Sequence, residues 1–364
     1  MMYSCAPASS GSRAVVKTKK KGKSLRVDIH CHYLNTDVAA RVAGKVPPEA
    51  DYLVKFSNEL TRETNARQGR DRAAKLSDLD VRLKEMDRMG IDIQAVSPAP
   101  HQTCYWADPG WGQELARAVN ERLAEIGAQH PDRFAPMGTV PLQDVSLAVA
   151  ELEHCVKALG MRGVEINPSV RGMDLTDPRL ALEKFFQKAA ELDVVIFMHP
   201  IGFSHGERLA NHYFNNVIGN PLETTVAASH LIFDGVLERH PKLKIVLPHA
   251  GGYLAHYWAR MDHAWRARPD TRGRIKRKPS SYLEKFYFDT ITFDRGMLAH
   301  LIERFGEEHV LLGTDYPYDM GMEHPVDFIA GVPKLSAKAK QAIMGGNAAR
   351  LLKIGYNNLT RRRT

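Results

Sequence analysis

Short apolar runs recur along the chain, and the segments between them carry apolar residues at helical spacing. The series opens with Val27-Asp28-Ile29-His30-Cys31-His32, and further runs lie at 91–96, 134–140, 163–166, 194–198, 244–247, 286–289 and 309–312. Their β-branched and aromatic content predicts strands. The run 194–198 is apolar throughout, as in a parallel strand covered on both faces. Between the runs, 78–90 predicts a helix, because Leu79, Leu83, Met86 and Met89 fall near a 3.6-residue period and Gly90 ends it. Further helices are predicted at 112–129, 146–159, 178–192, 223–239, 253–267, 297–305 and 337–344, with a short one from Asn347. Asp177 would cap the helix at 178 and Pro178 would be its first residue. Two connections break the rhythm. The polar stretch 33–77 and the loop after 198 are long enough to be functional lids or insertions.

Eight strands, each followed by a helix, predict a single (β/α)8 TIM barrel over 25–355, with an insertion after the first strand and C-terminal helices. A doubly wound sheet is the alternative, but no Gly-x-Gly-x-x-Gly follows a strand. The composition, 44% hydrophobic and 25% charged, is ordinary for a globular protein. No apolar run has the length of a membrane span. The net charge of +8 suggests a nucleic-acid surface until it is located. Residues 1–26 carry +7 and residues 351–364 carry +4, which leaves 27–350 at −3. The basic character belongs to the tails, so no nucleic-acid or membrane partner is expected of the body. Residues 1–24 read as a disordered basic tail, with a polybasic contact or an organelle address as the alternative, and 356–364 as a basic C-terminal tail. The first segment lacks the apolar core of a secretory signal. Four cysteines without a Cys-x-x-Cys fit reduced thiols and a cytoplasmic location.

The candidate chemistry sits where apolar runs end. On a strand, His30 and His32 share one face and Cys31 takes the other. Two imidazoles converging at a strand end could hold a divalent ion, or could be two polar residues on an exposed edge. His199, His249 and Asp315 also terminate strands, and a barrel brings all such ends to one rim, where chemistry sits. A lone strand-end histidine is ordinary surface, but five such placements on one rim are not explained that way. Three imidazoles and a carboxylate suit zinc first, and also manganese or iron.

The same residues resemble the amidohydrolase superfamily: His-x-His after strand 1, histidines after strands 5 and 6, and an aspartate after strand 8. The runs VDIHCH at 27–32, Tyr105-Trp106-Ala107, Glu223-Thr224-Thr225, HPKLKIVLPHAGG at 240–252 and LLGTDYP at 311–317 are similar to the 2-amino-3-carboxymuconate 6-semialdehyde decarboxylase branch. The resemblance spans about residues 25–352. It implies one divalent metal ion on His30, His32, His199 and Asp315, with His249 as acid/base. It further implies a non-oxidative decarboxylase of a small aromatic or muconate-like carboxylic acid. A hydrolase or hydratase using metal-activated water is the alternative on the same site. Whether His249, the Asp315 side or bound water delivers the proton is left open by the sequence. A substrate carboxylate calls for a guanidinium. The branch supplies one from the strand 1 insertion, which alignment places at Arg70, although Arg62, Arg67 and Arg72 are nearby. It supplies another from a neighbouring subunit, matched by Arg260, so a homodimer is implied. Two departures bear on substrate. Ile201, Gly202 and Phe203 replace aromatic and sulfur side chains, and Asn215-Asn216 stands where the branch has a proline and a tryptophan. Phe203, Tyr213, Asn216 and Trp106 are therefore candidate pocket residues, with plain packing as the competing role.

Overall fold

Eight parallel strands form where the apolar runs lie: β1 (Val27–Tyr33), β2 (Ile93–Pro98), β3 (Met137–Thr139), β4 (Gly163–Ile166), β5 (Val195–Met198), β6 (Lys244–Leu247), β7 (Phe286–Asp289) and β8 (Val310–Leu311). The structure is a computed structural model that describes residues 24–355. The expected tails, 1–24 and 356–364, lie outside the described residues but for Ser24. β3 through β8 form one continuous parallel sheet, and β1 pairs with β2. Two thin seams join these into a ring. At one, Gln94 and Phe134 bridge, with Gln94 N donating to Arg133 O and Ala135 N to Gln94 O, both at 2.9 Å. At the other, Cys31 bridges Tyr316, and Ile29 N donates to Leu312 O at 2.9 Å. The result is the predicted TIM barrel.

Strand alternation divides the core in two. Val27, Ile29, Ile93, Ala95, Val195, Phe197, Val246 and Leu311 fill the barrel interior, closed below by Ala348 and Leu351 of the Asn347–Leu351 helix. Cys31, Val96, Val164, Ile196, Ile245, Phe286 and Phe288 pack outward against the helices. One irregularity decides the site. In the β1–β2 ladder Asp28 pairs with Gln94 and Cys31 with Val96, so Ile29 and His30 together oppose Ala95. This bulge shifts the side-chain phase by one, as bulges near active sites do. It lets Ile29 pack in the barrel floor and still turns His30 and His32 inward. Asp28 secures it, accepting from His30 N at 3.1 Å and from Thr314 N at 3.0 Å across the second seam.

The insertion at 33–77 is largely helical: Thr36–Val42, Tyr52–Lys55 and Glu59–Ser77. Each helix starts where an Asx side chain accepts from its first free N–H groups: Asn35, Asp51 and Asn58. The helix expected from 178 begins at Glu183 instead. Asp177 engages Arg179, and Ala181 at φ 50 breaks the turn that follows. The helix expected over 223–239 is two, Asn220–Phe233 and Val236–Arg239, divided at Gly235 with φ 76. No helix among the described residues is long and apolar enough to cross a membrane.

Candidate metal centre

His30, His32, His199 and Asp315 meet inside the barrel mouth, each buried, with one ligand atom apiece and all four within 4.8 Å of one another. His30 Nε2 lies 3.2 Å from Asp315 Oδ1, and His32 Nε2 lies 3.3 Å from the same oxygen. The rings of His30 and His32 stand 4.9 and 4.7 Å from that of His199. The far nitrogens are tied back: His30 Nδ1 to Asp289 Oδ2 at 2.7 Å, and His32 Nδ1 to Pro98 O at 3.0 Å. Those contacts set the tautomers and aim both Nε2 atoms at the centre, as outer-shell partners of metal ligands do. His30 Nε2, His32 Nε2, both nitrogens of His199 and Asp315 Oδ1 are buried without a hydrogen-bond partner among the described residues. Such orphans each cost free energy unless something else engages them. A divalent cation would engage one nitrogen of each imidazole together with the Asp315 oxygen, four of these five atoms, and the donor set fits one.

The electrostatics agree. Burial alone would depress the His30 imidazolium, but the Asp315 and Asp289 carboxylates hold it up, at about 10. Burial would raise Asp315, yet His30, His249 and His32 keep its carboxyl well below the usual range. His199 is pushed far down by burial and by its cationic neighbours. Asp315 and His199 are thus held in their ligating forms, an ionised carboxylate and a neutral imidazole, whereas His30 would release its Nε2 proton to a bound metal. With Glu165 Oε2 also 3.5 Å from His32 Nδ1, three carboxylates surround the histidine pair, a field that favours a cation.

His249 follows β6 in a left-handed conformation, φ 53, with Nε2 3.6 Å from Asp315 Oδ2. It is outside the four-residue cluster and partly exposed. A cavity of about 320 Å3 opens above the cluster, lined by His199, Asp315, Arg72, Tyr213, Asn216 and Tyr318 among others. The Arg72 guanidinium lies 3.4 Å from Asp319 and 5.3 Å from the Tyr318 ring centre. Arg70, two residues away, is exposed and absent from that lining; the helix turns it outward. Arg260 is exposed on the Leu254–Ala267 helix and lines none of the cavities described. Asn216 reaches both the main cavity and a neighbouring one of about 270 Å3 that touches His249. Trp106 lines a third, of about 590 Å3, which meets the main cavity at His101 and Ile201. Phe203 is half-buried; its backbone N donates to Asn215 Oδ1, and it lines none of the three.

Sequence reasoning passed over Arg82, Glu165 and Asp289. Arg82 is fully buried and donates to His32 O, to Gln94 Oε1 at 3.0 Å and to Lys75 O at 3.2 Å, tying the insertion to the strand that carries the histidines. Glu165 and Asp289 occur near strand ends, as the ligands do, so the same search would have returned them.

Comparison with known proteins adds the following. The model of the amidohydrolase family matches residues 27–354. A 2-amino-3-carboxymuconate-6-semialdehyde decarboxylase of Dictyostelium discoideum is 34% identical over 281 residues, 77% of this chain and 78% of that protein. A 5-carboxyvanillate decarboxylase from Sphingomonas paucimobilis superposes with a TM-score of 0.82 at 28% identity, covering 92% of this chain and 100% of the other. A dihydroxybenzoic acid decarboxylase from Polaromonas, with bound manganese and the inhibitor 2-nitroresorcinol, gives 0.76 at 27% identity over 93% and 100%.

Proposed function

The chain belongs to the amidohydrolase family, and from that premise we propose that it is a metal-dependent, non-oxidative decarboxylase of a small aromatic or muconate-like carboxylic acid. The observation that carries this is the cluster of His30, His32, His199 and Asp315 at the floor of a cavity that also holds a guanidinium. A divalent ion held by those four residues would withdraw charge from a substrate oxygen and so accept electron density developing on the ring. Zinc is our reading of the ion from the donor set; manganese in the Polaromonas neighbour is the competing outcome.

The chain's own groups account for the rest. Arg72 engages the substrate carboxylate through a charge-assisted pair. Tyr213, Tyr318 and Asn216 close around the ring. As the bond to the carboxylate carbon breaks, its electron pair stays on the ring carbon and CO2 leaves. His249, as imidazolium, returns a proton to that carbon. Arg260 is exposed and lines none of the cavities described, and in our reading it completes the site of a partner subunit, so that the active unit is a homodimer. The free thiols Cys31, Cys104 and Cys155 suit the reducing cytoplasm. The test is to incubate the metal-loaded enzyme with a panel of hydroxybenzoic and muconate-type acids and measure evolved CO2. Stoichiometric CO2 with at least one acid is expected. Turnover without CO2 would replace the proposal with a hydrolase or hydratase.

A further inference from the structure

Asp289 ends β7 fully buried, and both its oxygens are doubly engaged. Oδ2 lies 2.7 Å from His30 Nδ1 and accepts from the His249 backbone N at 2.9 Å. Oδ1 accepts from Ala250 N at 2.8 Å and Ile291 N at 3.1 Å. The segment it grips is unusual. His249, Ala250, Gly251 and Gly252 run through four successive positive φ values, 53, 56, 76 and 67. Residues with a Cβ seldom hold that conformation without support. Gly251 and Gly252 cannot carry a side chain here: a Cβ would stand 2.6 Å from the Phe288 ring at the first and 2.2 Å from Pro221 O at the second.

We propose that Asp289 is a positioning residue that couples the two halves of the active site, fixing the metal ligand His30 and the acid/base His249 through one carboxylate. The inference rests on the reading of His249 given above. Holding His30 Nδ1–H on Oδ2 leaves Nε2 for the cluster. Holding the His249 and Ala250 N–H groups keeps the left-handed turn that projects the His249 ring over Asp315. A displacement of either therefore disturbs the other. Only a carboxylate serves, because four N–H donors converge on two oxygens. In Asp289→Asn the amide NH2 faces two of those donors whichever way it turns.

The experiment titrates wild type and Asp289→Asn with Zn2+ by calorimetry, then measures kcat and KM at saturating Zn2+. Metal Kd should weaken about ten- to hundredfold, as loss of such a partner does elsewhere. At saturating metal, kcat should stay about tenfold or more below wild type with KM changed by less than about threefold, the pattern of a lost transition-state interaction. An unchanged metal Kd would overturn the proposal. So would kcat restored fully by excess metal, since Asp289 would then act on His30 alone. If Asp289→Asn does not fold, 15N-histidine spectra of Zn2+-loaded wild type decide, with His30 identified by the signal lost in His30→Asn. A proton on His30 Nδ1 is expected, and a proton on Nε2 would overturn the assignment. Absence of CO2 from wild type would sink the decarboxylase reading alone; the calorimetry and the spectrum would still judge Asp289.

Discussion

The strand-end rim and the 33–77 insertion form opposite walls of one cavity, but different forces place them. On the rim, His30, His32, His199 and Asp315 continue strands whose neighbours fill the barrel core, so their side chains inherit the precision of close packing. In the insertion, the Glu59–Ser77 helix buries Leu76 alone. It is held by the Asn58 cap, by Arg82 on the carbonyls of Lys75 and Leu76, and by few apolar contacts. On the proposed function, the rim would carry the chemistry and the insertion the choice of substrate.

The strongest way to break this division is on the rim. His249→Ala should lower kcat about 10^2- to 10^4-fold, the scale of a lost general acid or base. A kcat within about threefold of wild type would remove His249 from the chemistry.

The next effect is on stability and belongs to the rim's foundation. Burial pushes the Asp28 carboxyl up to about 6, outweighing the hydrogen bonds from Thr314, His30 and Gln94. The unfolded chain loses this proton near 3.8, the folded one near 6, so between those values the native state holds the extra proton. Its contribution is complete below about pH 4 and falls as pH rises, at about 1.4 kcal/mol per unit, to a loss of order 3 kcal/mol by pH 6. Urea unfolding at pH 4 to 7 should show that slope in wild type and a flatter one in Asp28→Asn. Equal slopes would show that the bulge is not held by a carboxyl of raised affinity.

The smaller effect tests the insertion. Arg72→Ala should raise KM about 10- to 100-fold, since a charge-assisted hydrogen bond contributes about 1.5–3 kcal/mol. Arg70→Ala should leave KM within about twofold, as an exposed charge does. The reverse order would mean that the insertion presents its other face to substrate.

The same division separates what the sequence reveals from what it conceals. β5 is legible because a continuous apolar run ending in His199 has one plausible place, and β6 and β8 behave alike. The metal cluster follows once eight such ends are put on one rim. The bulge at Ile29-His30 is not legible, because inserting one residue leaves the alternation of VDIHCH looking regular. Neither is the choice of Arg72 over Arg70. On a helix polar all round, no apolar stripe says which face turns inward, and 100° per residue puts residues two apart on nearly opposite sides. The late start of the Glu183–Glu191 helix was hidden in the same way, since Asp177-Pro178 serves a turn as well as a cap.

The central claim is that one divalent ion sits on His30, His32, His199 and Asp315 while His249 stands outside its coordination. Elemental analysis of purified wild type, His199→Ala and His249→Ala tests this directly. The account predicts about one ion per chain in wild type and in His249→Ala, and close to none in His199→Ala. A full complement in His199→Ala, or its loss in His249→Ala, would contradict it.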